Sequence, residues 1–329
     1  MIPNSSRRKT LIFRIGSGSG FYSEYNNMIF AIAYTEINNI NFKLFSKNAN
    51  FSIENGWTDY FLPFCDEVED DFHSTYNRRL KFPSTARMLF KKYAKGKQIP
   101  EWVYDKYKFY MIKQYLLSPY YKNKYKFNYF TFDLWNNFKE LDPYYHSDVL
   151  NKKIKSDNYE GDLKGLFQRV IRSTYRFNEK VSLDITKVTS DVKIPHDDYI
   201  GLHIRAGDKI LENKLFDIED YFEIVRIKAT GFKNIFLMTD DYRIYEKCKL
   251  KYPDYDFYTT CSENEMGYDN VKFNSQNNEQ KYLDMVKLLA SIELLNNSKV
   301  FIGVYNSNPG QFLYLRRNDC TYFVDKPTN

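Results

Sequence analysis

From Pro195 onward, short apolar runs alternate with longer segments of helical periodicity. Tyr199–Ile204, Asn234–Thr239, Asp256–Tyr258 and Lys299–Gly303 are brief and rich in branched and aromatic residues, which predicts strands. Ile218–Ala229, a segment around Arg243–Lys251, and Gln280–Asn296 lie between them and predict helices. Strands joined through a helix pair in parallel, because a parallel crossover needs about a dozen residues where a hairpin needs two. Alternation of this kind therefore confines the second half of the chain to an α/β domain with a mainly parallel sheet. In such sheets ligands bind at the carboxyl ends of the strands, near the point where strand order reverses. The polar residues of this half fall at those ends.

The first half opens in a related way. Thr10–Ile15 predicts a strand, Gly16-Ser17-Gly18-Ser19-Gly20 a tight turn, and Asn26–Ile37 a helix with Met28, Ile29, Ile32, Ala33 and Ile37 on its apolar face. Phe42–Phe45 predicts a second strand. Residues 72–155 are rich in Lys, Tyr and Phe and follow no single period; Trp102–Leu117 has helical character, and Pro119, Pro143 and the polar run Asn151–Gly161 punctuate the rest. Asp162–Phe177 predicts a helix with Leu163, Leu166, Phe167, Val170, Ile171 and Tyr175 on one face. There is no internal repeat. The expected organisation is an α/β domain over 1–195, carrying an insertion at about 72–155, and a Rossmann-like domain over 196–329.

Composition narrows the function. The 30 Tyr and 27 Phe suffice to fill a core and still leave aromatic platforms on which sugars stack. The net charge of +6 is dispersed, which argues against a nucleic-acid partner. It suits an anionic substrate such as a nucleotide diphosphate, and equally plain solubility. Cys65, Cys248, Cys261 and Cys320 form no Cys-x-x-Cys pair, so a zinc ribbon or dithiol motif is not expected, and free thiols in a reducing compartment are. No secretory leader and no apolar run of about 20 residues is visible. The expectation is a cytoplasmic protein without a membrane span.

Four strand ends carry candidate chemistry. His203, Arg205, Asp208 and Lys209 crowd the end of the Tyr199–Ile204 strand, where His203 and Arg205 share a face because strand side chains alternate. Arginine grips two oxygens at once and lysine acts as a point charge, so the cluster suits a diphosphate; it also suits a solvated surface turn. Thr239-Asp240-Asp241 follows the next strand, where an aspartate could hold a ribose or a metal, or simply cap a helix. The two aspartates are adjacent, not spaced as Asp-x-Asp, and no metal set accompanies them. Ser307 and Asn308, before Pro309-Gly310, could donate to a phosphate at a helix start or form a plain N-cap. Gly18-Ser19-Gly20 lets backbone approach an anion, or makes a tight turn.

Ile200-Gly201-Leu202-His203-Ile204-Arg205-Ala206-Gly207-Asp208-Lys209 resembles the IGVHVRRTDK motif of the α1,6-fucosyltransferases. Ile235–Asp241, Lys251–Phe257, and Leu283-Asp284 through Ser307-Asn308 resemble further segments of that family in order and spacing. Gly18-Ser19-Gly20, Gly56-Trp57, Phe61–Pro63, and Gly161-Asp162 through Phe177 resemble it more thinly. The likeness is strongest over 199–310 and has no counterpart for 72–155. It implies an α/β, GT-B-like fold of two Rossmann-like domains facing a cleft. It further implies transfer of fucose from GDP-fucose to an oligosaccharide or glycoconjugate acceptor, with inversion and with neither metal nor cofactor. By the same resemblance Arg205 holds the β-phosphate, His203 and Asp284 sit at the nucleotide, Gly18 and Gly20 supply backbone near it, and Asp240, Asp241, Ser307 and Asn308 line the same cleft. Glu212 stands near the family's base once one loop residue is deleted, and Lys209 and Asp208 join Arg205 as catalytic candidates. Ala206 replaces the family's second arginine, and Gln311 stands near where an arginine often closes the serine turn. Two other readings therefore stay open: transfer of a different sugar, or a catalytically silent carbohydrate-binding relative.

Overall fold

The computed structural model of the protein describes residues 8–16, 18–77, 116–195, 198–205, 216–268 and 270–326. Within them the chain builds two parallel sheets, as expected for an α/β, GT-B-like architecture. The first joins β1 (Thr10–Arg14), β2 (Asn41–Phe45) and β3 (Tyr129–Phe130) in the order β2-β1-β3, with helix α1 (Phe21–Ile37) as the crossover from β1 to β2. An antiparallel hairpin, β4 (Lys153–Ser156) and β5 (Tyr159–Asp162), leads into α2 (Leu163–Thr174) and α3 (Glu179–Asp191). The second sheet holds β6 (Ile200–His203), β7 (Asn234–Met238), β8 (Asp256–Tyr258), β9 (Val300–Gly303) and β10 (Thr321–Phe323) in the order β10-β9-β6-β7-β8. Helices α4 (Ile218–Lys228), α5 (Tyr242–Lys251), α6 (Asn278–Asn297) and α7 (Asn308–Arg316) connect its successive strands.

The chain runs β6 to β7 to β8 in one direction and then returns to lay β9 on the other side of β6. Strand order thus reverses at β6 and β9, the position where such sheets open a crevice. The central strands are buried on both faces, and successive side chains turn to opposite cores as the pleat requires. Ile200 and Leu202 pack with Ile235, Leu237, Val300 and Ile302 under α4, while Phe236 and Phe301 face the other way, into the core that includes Leu289 and Leu295 of α6.

That larger core is continuous with the first sheet. Leu11 and Phe13 of β1, most of α1, the inner face of α2, and Phe312, Leu313 and Leu315 of α7 belong to one cluster. The last helix accordingly packs on α1 and α2, tying the chain's end to its beginning.

Several elements differ from the sequence reading, each for a local reason. Helix α1 begins at Phe21, not Asn26, because Gly20 already serves as its extended N-cap and Phe21, Tyr22 and Tyr25 are all buried. The polar run before Gly161 forms the β4–β5 hairpin, where ladder bonds suffice with only Ile154 fully buried. Helix α3 was not expected: Asn178 caps it, and its buried side chains are only Val181 and Ile185, which face α6. Tyr129–Phe130 within 72–155 pairs with Leu11 and Ile12, so this part of the expected insertion completes the first sheet. Of the helical segment expected at Trp102–Leu117, residues 102–115 lie outside the described residues, and 116–124 are helical. No described helix is long and apolar enough to cross a membrane.

Candidate functional site

The end of β6 is the centre of the site. His203 is buried at 4% exposure, and its Nδ1 has no hydrogen-bond partner among the described residues. Burial pushes its imidazole down to about 4; Arg205 adds to the shift and Asp240 opposes it. The ring is therefore neutral near pH 7, able to offer one donor and one acceptor. Arg205 follows two residues later, half-buried, just past the last ladder bond from Ile204 N to the Met238 carbonyl at 3.0 Å. Asp208, Lys209 and Glu212 lie outside the described residues, as does Ala206.

At the end of β7 the two adjacent aspartates do different things. Asp241 is buried and caps α5, accepting from Arg243 N at 3.0 Å and from Arg243 Nε at 2.9 Å. The hydrogen bonds from Arg243 hold its carboxyl below the usual carboxylate range. Asp240 accepts from Gly267 N at its main-chain oxygen (2.7 Å) and from Tyr268 N at its carboxylate (3.2 Å). The loop after β8 is thereby fastened to the loop after β7. That loop also holds Cys261, whose thiol burial and then Glu265 push up to about 12, which makes it an inert packing thiol.

Asp284 lies on α6, and its two oxygens accept from Gln276 Nε2 and Gln280 Nε2, each at 2.7 Å. Ser307 is the N-cap of α7: its hydroxyl accepts from Gly310 N at 3.0 Å and donates to the Val304 carbonyl at 2.7 Å. A Cβ on Gly310 would stand 2.1 Å from the Val304 oxygen, so this turn requires glycine there. The N–H groups of Tyr305 and Asn306 point at the carboxylate of Asp325, at 2.6 and 2.8 Å. The main-chain oxygen of Asn308 accepts from Asn26 Nδ2 at 3.0 Å, which joins this turn to α1.

The glycine turn after β1 is exposed at Gly18, Ser19 and Gly20. Gly16 has φ +82° and a Cβ there would lie 2.4 Å from Ala49 Cβ, so it is sterically obligatory; Gly18 has φ +111°. Gly16 N and Ser19 N donate to the carboxylate of the buried Glu24, at 3.3 and 3.4 Å. Three residues that sequence reasoning passed over thus belong to the site's walls: Glu24, Asn26 and Asp325. A carboxylate in the first turn of a helix was a signal for Glu24; Asn26 and Asp325 act on partners remote in sequence.

His203, Arg205 and Asp240 therefore form one electrostatic group, and the Ser307 turn meets α1 through Asn26. Asp284 bonds to glutamines of its own segment. Among the described residues, no group of three or more His, Cys, Asp or Glu is arranged to hold a metal ion.

Residues 166–298 match the family model for the alpha-(1,6)-fucosyltransferase N- and catalytic domains. The stretch contains β6, β7, β8 and α6, hence Arg205, Asp240 and Asp284, and it agrees with the family read from Ile200–Lys209. Comparison with curated proteins found no match. Among solved structures, the alpha-1,6-fucosyltransferase NodZ soaked with GDP-fucose is 13% identical, with 94% of this chain and 92% of that one covered and a TM-score of 0.47. NodZ from Bradyrhizobium is 13% identical, with 94% and 93% covered and a TM-score of 0.47. POFUT1 in complex with GDP-fucose is 10% identical, with 97% and 98% covered and a TM-score of 0.49.

Proposed function

From the α1,6-fucosyltransferase match over residues 166–298, we propose that the protein is a glycosyltransferase that moves fucose from GDP-fucose to a hydroxyl of an oligosaccharide or glycoconjugate, inverting the anomeric carbon without a metal ion. One observation carries the reading. The point where strand order reverses bears His203 and Arg205, and it falls inside the matched stretch. In this reading Arg205 and Lys209 engage the diphosphate and offset the charge that grows on it as the bond from fucose C1 to the β-phosphate oxygen breaks. The acceptor oxygen bonds to C1 from the opposite face, and its proton passes to the Glu212 carboxylate. His203, neutral and buried, contributes a hydrogen bond to the nucleotide, with Asp284 on the neighbouring helix. The four free cysteines fit a reducing, cytoplasmic setting.

The acceptor side is supported by exposed tyrosines. Tyr145 is 65% exposed, and its neighbour Tyr144 stacks on Tyr305, ring centroids 6.3 Å apart, two residues before Ser307. Tyr144 and Tyr145 are thus exposed beside the buried Tyr305 of the serine turn, where a sugar ring can lie flat on a ring face.

Turnover of GDP-fucose over a panel of glycan acceptors, with and without chelator, tests the function. Arg205→Ala is expected to lower kcat/KM by about a hundredfold or more. Full activity in that variant would remove Arg205 from the site. Ala206 and Gln311, where the family has arginines, favour a second reading in which the donor is another nucleotide sugar. Thermal stabilisation by UDP-sugars and not by GDP-fucose would establish it.

A further inference from the structure

Asn26 sits in α1 at 2% exposure. Its Nδ2 donates to the main-chain oxygen of Asn308, the first residue of α7. A carbonyl oxygen only accepts, so this bond settles which end of the amide is which. The other end, Oδ1, is buried and has no hydrogen-bond partner among the described residues. Buried amide oxygens without a partner are rare in native proteins, and each needs an explanation.

The position supplies one. Asn26 lies on the helix that Gly20 caps, and Asn308 on the helix that Ser307 caps. The bond between them, beside the packing of Phe312 on Tyr22 and Tyr25, ties the glycine turn at the end of β1 to the serine turn at the end of β9. These are the carboxyl ends of strands in the two different sheets. An asparagine that served only as filling would be better replaced by a hydrocarbon of its volume, which leaves no acceptor unmatched.

We propose that Asn26 is a positioning residue of the donor site: it holds the two turns at the spacing a nucleotide sugar requires, and its Oδ1 accepts a hydrogen bond from that ligand. The proposal rests on the glycosyltransferase reading above. The proton on the ligand side comes from a sugar hydroxyl or a base N–H, since Oδ1 is an acceptor only.

Asn26→Leu and Asn26→Asp separate this role from filling. Donor affinity is measured by calorimetry with GDP-fucose, donor KM and kcat by turnover, and amide exchange over residues 304–312 by mass spectrometry. Asn26→Leu is expected to fold, to weaken donor binding about tenfold through KM with little change in kcat, and to speed exchange in the serine turn. Asn26→Asp is expected to weaken binding further, because it sets a carboxylate against the Asn308 oxygen and an anionic ligand. Unchanged affinity and unchanged exchange in a folded Asn26→Leu protein would overturn the proposal; so would faster exchange with unchanged affinity, which is what a bound water on Oδ1 predicts. If the leucine variant does not fold, Asn26→Ala carries the same comparison. Wild-type protein is first screened against a panel of nucleotide sugars. If it binds a donor other than GDP-fucose, the fucose reading fails and the variants are compared with that donor. If it binds none, both readings fall together, whereas loss confined to the variants supports Asn26 alone.

Discussion

Helix α7 is tied to α6 by a largely buried ion pair, and removing half of it should be costly. Arg316 of α7 meets Glu293 of α6 through its two terminal guanidinium nitrogens, with Nη2 to Oε2 at 2.9 Å. The guanidinium lies 5.0 Å over the ring of Tyr175, whose hydroxyl bonds that of Tyr22 in α1 at 2.6 Å. The two side chains are 22% and 17% exposed. Burial disfavours the Arg316 charge, and Glu293 more than restores it, so its affinity for the proton is raised overall. Glu293→Gln leaves this cation buried against two tyrosines without a counter-charge. Breaking a fully buried pair costs about 3–5 kcal/mol, and partial exposure argues for the lower end, about 3 kcal/mol. With an unfolding entropy of about 2.1 cal/mol/K per residue, a chain this long has about 0.7 kcal/mol/K in total, so Tm should fall by about 4 °C. Scanning calorimetry at a fixed rate reads this directly. The double variant Glu293→Met with Arg316→Met should recover much of the loss, since it removes the unpaired charge as well. If the single variant melts within a degree of the parent, or if the two substitutions are additive, the pair is not what joins these helices.

Two further outcomes concern the buried His73 and His203 and the exposed Tyr145. Burial sets both His73 and His203 at about 4, below the ordinary histidine value, so the unfolded chain takes up protons first as pH falls. The histidine contribution to stability should therefore be constant above about pH 6.5 and decline between about 6.5 and 4, by up to about 1.4 kcal/mol per pH unit for each histidine. A His73→Gln protein whose Tm falls with acid as steeply as the parent's would refute the assignment for that ring. On the acceptor side, Tyr145→Ala should raise acceptor KM by about two- to tenfold while leaving donor KM unchanged; unchanged acceptor KM would move the acceptor surface elsewhere.

How far the sequence revealed the structure depended on where each element gets its energy. The central strands β6, β7 and β9 are buried on both faces and read as apolar runs, so they were visible with their helices, and the short β8 beside them followed from its aromatic pair Phe257 and Tyr258. Elements held by ladder bonds or by a narrow contact left little trace. β3 is two residues long and β10 three, the β4–β5 hairpin is mostly polar, and α3 buries only Val181 and Ile185. The reversal at β6 that marks the site depends on which strand lies beside which, and no local pattern encodes that. The contacts that join the walls, Asn26 to Asn308 and Asp325 to Tyr305 and Asn306, link positions far apart or across a strand, with no spacing to betray them.

The same contacts change how an anionic substrate can be held. Turns rich in free N–H groups attract anions, and the turns after β1 and β9 were read in that way from their glycine, serine and asparagine content. In the folded chain Gly16 and Ser19 direct N–H groups at Glu24, and Tyr305 and Asn306 direct theirs at Asp325. The chemistry of the turns is as the sequence suggests, with anions supplied by the protein itself. A diphosphate that displaced either carboxylate would leave it buried or half-buried without its donors, which is expensive in a low-dielectric setting. Glu24, at 6% exposure, is the clearer case. The charge of a nucleotide sugar must then be met chiefly by cations, and on the described wall of the site the cation at the strand reversal is Arg205. This is why the Arg205→Ala measurement weighs more heavily on the proposed function than any glycine substitution in the turn after β1.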